Sequence, residues 1–307
     1  MNKLQYSILV LFFTACSQPA MKTNIDNIAN GNKVIYLGRY YVNYIDTMGV
    51  DTANRLRYYN GQLFYPIMNN YFSKPEYSFL IGARLHNPFK NIVGLRANVS
   101  EINNDRLKID SLISIALIAS NRYLKNNAIT IYVSPVRPSD REEIKEGGGI
   151  SGTTAGSKDI FVAIDPEVSG WEQRLEYVIA HEYNHAYWIM LHPSLGIKSW
   201  TVLADIISEG KADSYAHLLY PKETVLGDTI TSYSKDVIWR KIRPYLDSTS
   251  SDDIMNGEDS AKIFPKWSGY IIGYAIVQSA LKNNPQLTPE EWSSLKPEDL
   301  FKMSDYK

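Results

Sequence analysis

The most regular patterns along the chain are helical. From Ala53 to Phe72, the residues Leu56, Tyr59, Leu63, Ile67 and Tyr71 recur three or four apart, which predicts a helix that stops before Lys74-Pro75 and kinks at Pro66. Asn104 to Lys125 places Leu107, Leu112, Ile115, Ala116, Ala119, Tyr123 and Leu124 on one apolar face and ends at Asn126-Asn127. Val34 to Ile45 is apolar and aromatic, and fits either a strand or the entry to a helix. Residues 33–127 thus read as a helical N-terminal region. The character changes at Ala128, where Ile129 to Val133 and Ile160 to Ile164 are short β-branched runs bounded by Pro, Gly and Asp, as strands are. Ser169 followed by Glu172 has capping-box spacing and opens a helix that continues through Leu175, Val178, Ile179 and His185 until Pro193. A second helix runs from about Thr201 to Tyr220. A third lies around Tyr270 to Leu281, after an acidic, serine-rich connection from Ser248 to Ser260 whose carboxylates lack the spacing of a calcium loop. The fold class expected is α+β, predominantly helical, with a small sheet in residues 128–307.

The first residues follow a different logic. Lys3, the apolar run Ile8 to Phe13, and the small Thr14 and Ala15 ahead of Cys16 have the order of a secretory signal peptide. The run is far short of the roughly 20 apolar residues a spanning helix needs. Phe13-Thr14-Ala15-Cys16 also resembles a bacterial lipobox, which makes residues 1–15 a removed signal and Cys16 a lipidated first residue. Residues 16–32 are polar and aperiodic, as a tether would be. The expected location is therefore the bacterial cell envelope, with the membrane as partner through a lipid anchor. Cys16 is the only cysteine, so no disulfide framework exists. Formal charge is −1, from 32 basic and 33 acidic residues, so no basic field is present to hold nucleic acid.

His181-Glu182-Tyr183-Asn184-His185 sits inside the helix expected after Ser169. Residues four apart fall on nearly one face, about 6 Å apart along the axis, so both imidazoles can converge on one divalent ion. Glu182 is rotated by about 100° from His181, able to reach water beside the ion as general base without ligating it. Two histidines leave an ion under-ligated. Ser208-Glu209-Gly210-Lys211-Ala212-Asp213 offers two carboxylates four apart: Glu209 as third ligand, and Asp213 as hydrogen-bond partner of a ligating histidine.

The two segments resemble the gluzincins, whose third ligand is a Glu on a later helix with an Asp four residues after it. More narrowly, residues from about Gly147 to Val277, including Gly147-Gly148-Gly149-Ile150-Ser151-Gly152 and Gly269-Tyr270-Ile271-Ile272-Gly273-Tyr274, resemble the YjaZ-like family of zinc-dependent proteases, a domain of unknown function. The resemblance implies a zincin-like domain, one Zn2+ per chain and peptide-bond hydrolysis, with a peptide or protein as substrate. It leaves the N-terminal half unexplained.

Gly147 to Gly152 also fits a dinucleotide fingerprint letter for letter, but that motif needs a strand before and a helix after, and here Arg141 to Glu146 looks helical and a strand follows. Gly148, Gly149 and Ile150 are instead candidates for letting a peptide backbone approach an edge strand, with a plain flexible loop as the alternative. Tyr270, Tyr274 and His217 are candidates for an oxyanion donor, Tyr270 foremost. His86 and His192 read as structural. Two functions remain open: a zinc metallopeptidase anchored to the envelope, and a noncatalytic zinc-binding lipoprotein that serves as a scaffold. The sequence is silent on oligomeric state.

Overall fold

The computed structural model describes residues 25–28, 31–48, 53–76, 78–85, 88–89, 92–193, 200–223, 234–249, 252–257 and 264–307. Cys16, the signal segment and His86 lie outside them. The chain is mostly helical around one small mixed sheet. Strand β1 (Ile25–Asn27) turns into β2 (Lys33–Tyr36), followed by helices α1 (Gly38–Met48), α2 (Arg55–Tyr59), α3 (Tyr65–Tyr71), α4 (Ser78–Leu85), α5 (Leu95–Asn104) and α6 (Arg106–Ser120). Then come β3 (Thr130–Pro135), α7 (Arg141–Glu146), β4 (Ile150–Thr154) and β5 (Asp159–Ile164). The long α8 (Trp171–Leu191) and α9 (Val202–Leu219) follow, and α10 (Lys235–Ile242), α11 (Asp252–Asn256), α12 (Ser268–Asn283), α13 (Pro289–Ser294) and α14 (Pro297–Met303) complete the described chain.

The strand order is β1-β2-β3-β5-β4, with the β2/β3 and β3/β5 pairs parallel and both outer pairs antiparallel. Side chains alternate across a strand, and here the alternation separates two apolar cores. Val34, Ile131, Val133, Ile160 and Val162 face α6, α8 and the C-terminal helices. Ile35, Tyr132, Phe161 and Ala163 face α1 to α5. The open reading of Val34 to Ile45 thus resolves into both alternatives in succession, a strand and then a helix.

Several expectations are corrected. Ile25–Asn27, inside the segment read as a tether, pairs with β2. The change of pattern at Ala128 does not divide two cores, because β2 lies in the sheet beside β3 and α6 packs in the same core as α8. The helix over Ala53 to Phe72 is a relay: α2, then a π turn at Asn60–Phe64, then α3 with Pro66 in its first turn. Proline lacks an N–H and its ring crowds the carbonyl four residues back, and a wider turn placed just ahead of it avoids that clash without breaking the helix. Helix α6 buries Ile109, Ile113, Ala116, Leu117 and Ser120, whereas Leu107 and Ile115 of the expected face are 85% and 49% exposed. Finally, α8 is not capped by Ser169; its N-cap is Gly170, in the left-handed region at φ 85°.

Candidate metal centre

Helix α8 is buried on almost every side, from Trp171 to Ile189. Its reverse face is fixed by the two middle residues of the histidine motif. The Tyr183 hydroxyl lies 2.8 Å from the Leu124 carbonyl and 3.0 Å from the Asn126 amide, and Asn184 Nδ2 donates to Ser293 Oγ at 3.0 Å. Those anchors set the rotation of the helix, so His181, Glu182 and His185 turn toward the cleft. Thr201 caps α9 by accepting from the Ala204 amide, and α9 packs along both α8 and α12.

Helix α9 packs closely on α12 through a pair of glycines. A Cβ on Gly210 would fall 2.2 Å from the Gly273 backbone, and one on Gly273 would fall 1.7 Å from the Ile206 carbonyl oxygen. Only glycine at both places allows the approach. It brings Glu209, adjacent to Gly210, opposite the two histidines.

One donor atom each from His181, His185 and Glu209 lies within 4.8 Å of the others, the sole such cluster among the described residues. His181 Nε2 is 3.1 Å from Glu209 Oε2 and 3.1 Å from His185 Nε2, and His185 Nε2 is 3.6 Å from Glu209 Oε1. A tetrahedral zinc with bonds near 2.0–2.1 Å holds its ligand atoms roughly 3.3 Å apart, so the spacing and the nitrogen and oxygen donors both fit. Asp213 Oδ1 lies 3.0 Å from His181 Nδ1 and accepts from the Tyr177 hydroxyl at 3.0 Å. Ser208 Oγ lies 3.3 Å from His185 Nδ1. Each imidazole is thus oriented from behind.

The electrostatics make the site one that favours positive charge. Burial alone would lower His181, but its hydrogen bonds with Asp213 and Glu209 outweigh burial and hold the imidazole well above its ordinary value. Burial would raise Glu209, yet His185 and His181 bring it below the ordinary carboxylate range. Asp213→Asn is expected to weaken zinc binding by about 10- to 100-fold, since the amide cannot hold the same tautomer. A competition titration with a chromophoric chelator measures it, and an unchanged Kd would remove Asp213 from the account.

Glu182 is buried beside the cluster, with Oε2 2.7 Å from the Thr154 hydroxyl. A Cβ on Gly152 would lie 2.5 Å from Glu182 Oε1, so the bare backbone of β4 passes directly over the carboxylate. The ladder pairs Gly149 with Asp165 and Ala155 with Asp159, and the antiparallel alternation therefore turns the backbone groups of Ile150, Gly152 and Thr154 outward from β5. Among the described residues no strand pairs with that side of β4, which is a sheet edge at the mouth of the site.

These elements line a cleft of about 660 Å³ that holds His181, Glu182, His185, Glu209, Asp213, Ile150 and Tyr270 together. Gly148 and Gly149 do not line it: at φ 83° and 84° they form the turn into β4, where any Cβ would meet Arg174 or Val168. Gly152 takes the place expected of them. The negative charge of Glu209, together with burial, pushes the Tyr270 hydroxyl well above its ordinary value, which keeps it protonated as a donor. Its ring stands edge-on to Trp267 at 5.5 Å. Tyr274 and His217 contact each other edge-on at 6.2 Å and do not line the cleft. His192 lies against Trp188 at 3.7 Å, a packing role. Tyr177, Ser208, Thr154 and Gly152 are the residues sequence reading missed. Tyr177 was within reach, since it precedes His181 by one helical turn; the others depend on tertiary contacts.

Two imidazoles one turn apart, joined by a carboxylate from the neighbouring helix and flanked by a second buried carboxylate, define a candidate metal-dependent hydrolase site. The chain belongs to the family described as Predicted Zn-dependent protease (DUF2268), whose family model matches residues 109–302, more than half of the 307. No curated protein and no solved structure matches the chain.

Proposed function

We propose that the protein is a gluzincin-type zinc metallopeptidase of the bacterial envelope, with a zincin-like site in which His181, His185 and Glu209 hold one zinc and Glu182 is the general base. The observation that carries this reading is the convergence of three donors from α8 and α9 beside a buried carboxylate that stands outside that cluster and accepts from Thr154. Zinc, when bound, supplies Lewis acidity toward a peptide carbonyl and lowers the pKa of water toward roughly 7. Glu182, steadied by Thr154, accepts the proton of the attacking water and delivers it to the departing amine. Tyr270, which lines the same cleft, donates to the developing oxyanion. The outward backbone groups of Ile150 and Thr154, together with the Gly152 N–H, add an extended peptide to the sheet edge, which brings the scissile bond over Glu182. The substrate is accordingly a peptide or an unfolded protein segment.

Cleavage of a mixed peptide set should disappear on treatment with a zinc chelator and return on adding zinc. Stoichiometric zinc with no cleavage of any peptide would favour the scaffold reading instead. The lipid anchor at Cys16 rests on the sequence alone; among the described residues no helix is long and apolar enough to cross a membrane. Cys16→Ser is expected to move the protein from the membrane fraction to the soluble one, and unchanged partitioning would refute the anchor.

A further inference from the structure

Residues before 109 lie outside the matched family segment, yet two of them, Leu80 and Arg84, reach the cleft. Arg84, in the last turn of α4, donates through Nη1 to the Gly152 carbonyl at 3.2 Å and to Thr153 Oγ1 at 2.7 Å, and through Nη2 to Ser151 Oγ. Its own carbonyl accepts from Arg137, and its guanidinium stands 5.7 Å from the centre of the Phe161 ring. Among the described residues its Nε–H and one Nη2–H have no acceptor.

The Gly152 carbonyl is the outward acceptor that a peptide N–H along β4 would otherwise use. With a guanidinium on it, the neighbouring group on an incoming chain must be an acceptor. A planar fork with two spare N–H groups matches a carboxylate far better than a neutral amide. The surrounding cleft carries Glu143, Glu182, Asp205, Glu209 and Asp213 against two arginines, Arg84 beside β4 and Arg174 on α8, so an anionic substrate group lying along the β4 edge meets Arg84 as its cationic partner.

We propose that Arg84 is a specificity-determining residue that recognises a carboxylate on the peptide lying along the edge of β4. This rests on the peptidase reading above. The carboxylate is either the substrate's free C-terminus or an acidic side chain beside the scissile bond, and the two are separable by experiment.

The test uses zinc-loaded Glu182→Gln full-length protein and fluorescence anisotropy with four labelled alanine-based pentapeptides: free C-terminal acid, C-terminal amide, and amidated peptides with central Glu or central Gln. A carboxylate peptide is expected to bind at least tenfold more tightly than its neutral counterpart. Preference for the free acid assigns the C-terminus; preference for central Glu assigns the side chain. Adding Arg84→Gln should erase that preference and leave the neutral peptides within about twofold, while Arg84→Lys keeps part of it. Equal binding of charged and neutral peptides by the Arg84 protein, or an equal loss for all four in Arg84→Gln at unchanged zinc content, would overturn the proposal and leave Arg84 as a tether between α4 and the sheet. Failure of all four peptides to bind would overturn the peptidase reading along with it.

Discussion

Glu182→Gln is expected to lower kcat for peptide cleavage by about 10²- to 10⁴-fold while zinc stays at one per chain. The substitution keeps the shape and the contact with Thr154 but removes the basic lone pair that accepts the proton of water. Because Glu182 lies off the ligand set, with its carboxylate held by the Thr154 hydroxyl at 2.7 Å, metal content and thermal stability should barely change. Steady-state kinetics and metal analysis on the same preparation check both halves. A variant with full activity would show that another group activates water, and a variant that loses zinc would make Glu182 a ligand.

The second large effect concerns a residue with no chemistry of its own. Gly273→Ala is expected to destabilise the protein by about 3 kcal/mol or more, at the upper end of overpacking costs, because the added Cβ meets backbone and no rotamer change relieves it. The atoms involved are the Ile206 carbonyl at 1.7 Å and the Gly210 amide nitrogen at 3.2 Å. Separating α9 from α12 would also displace Glu209, so zinc affinity should fall together with Tm. Gly61→Ala, where a Cβ meets nothing within 4 Å, serves as the control and should leave both unchanged. A Gly273→Ala protein that melts within about 2 °C of the parent would show that the two helices are not locked by this contact.

Those glycines explain what was legible in the sequence and what was not. The histidine pair, Glu182, Glu209 and Asp213 could be placed because helix geometry is periodic: a spacing of four means one face, and the structure brings those faces together. The closeness of α8, α9 and α12 could not be read so directly, since it depends on Gly210 meeting Gly273 across 63 positions of chain. The buried face of α6 is not legible in the sequence because Arg106–Ser120 carries apolar residues on more than one side, and only the neighbouring elements decide which stripe is buried. Within the glycine motif, Ile150 lines the cleft as expected of it, but the two glycines before it do not. Gly148 and Gly149 serve the turn, whereas Gly152, at the end of the same motif, lies against Glu182. Arg84 had no local signal, because its partners at Ser151, Gly152 and Thr153 follow some 67 residues later.

The central claim is that α8 and α9 aim His181, His185 and Glu209 at one zinc ion. Elemental analysis of the purified chain after equilibration with zinc and exhaustive dialysis tests it most directly, with Glu209→Ala and His185→Ala treated in parallel. One zinc per chain is expected in the parent and close to none in either variant. A parent that retains no metal, or variants that retain all of it, would contradict the account.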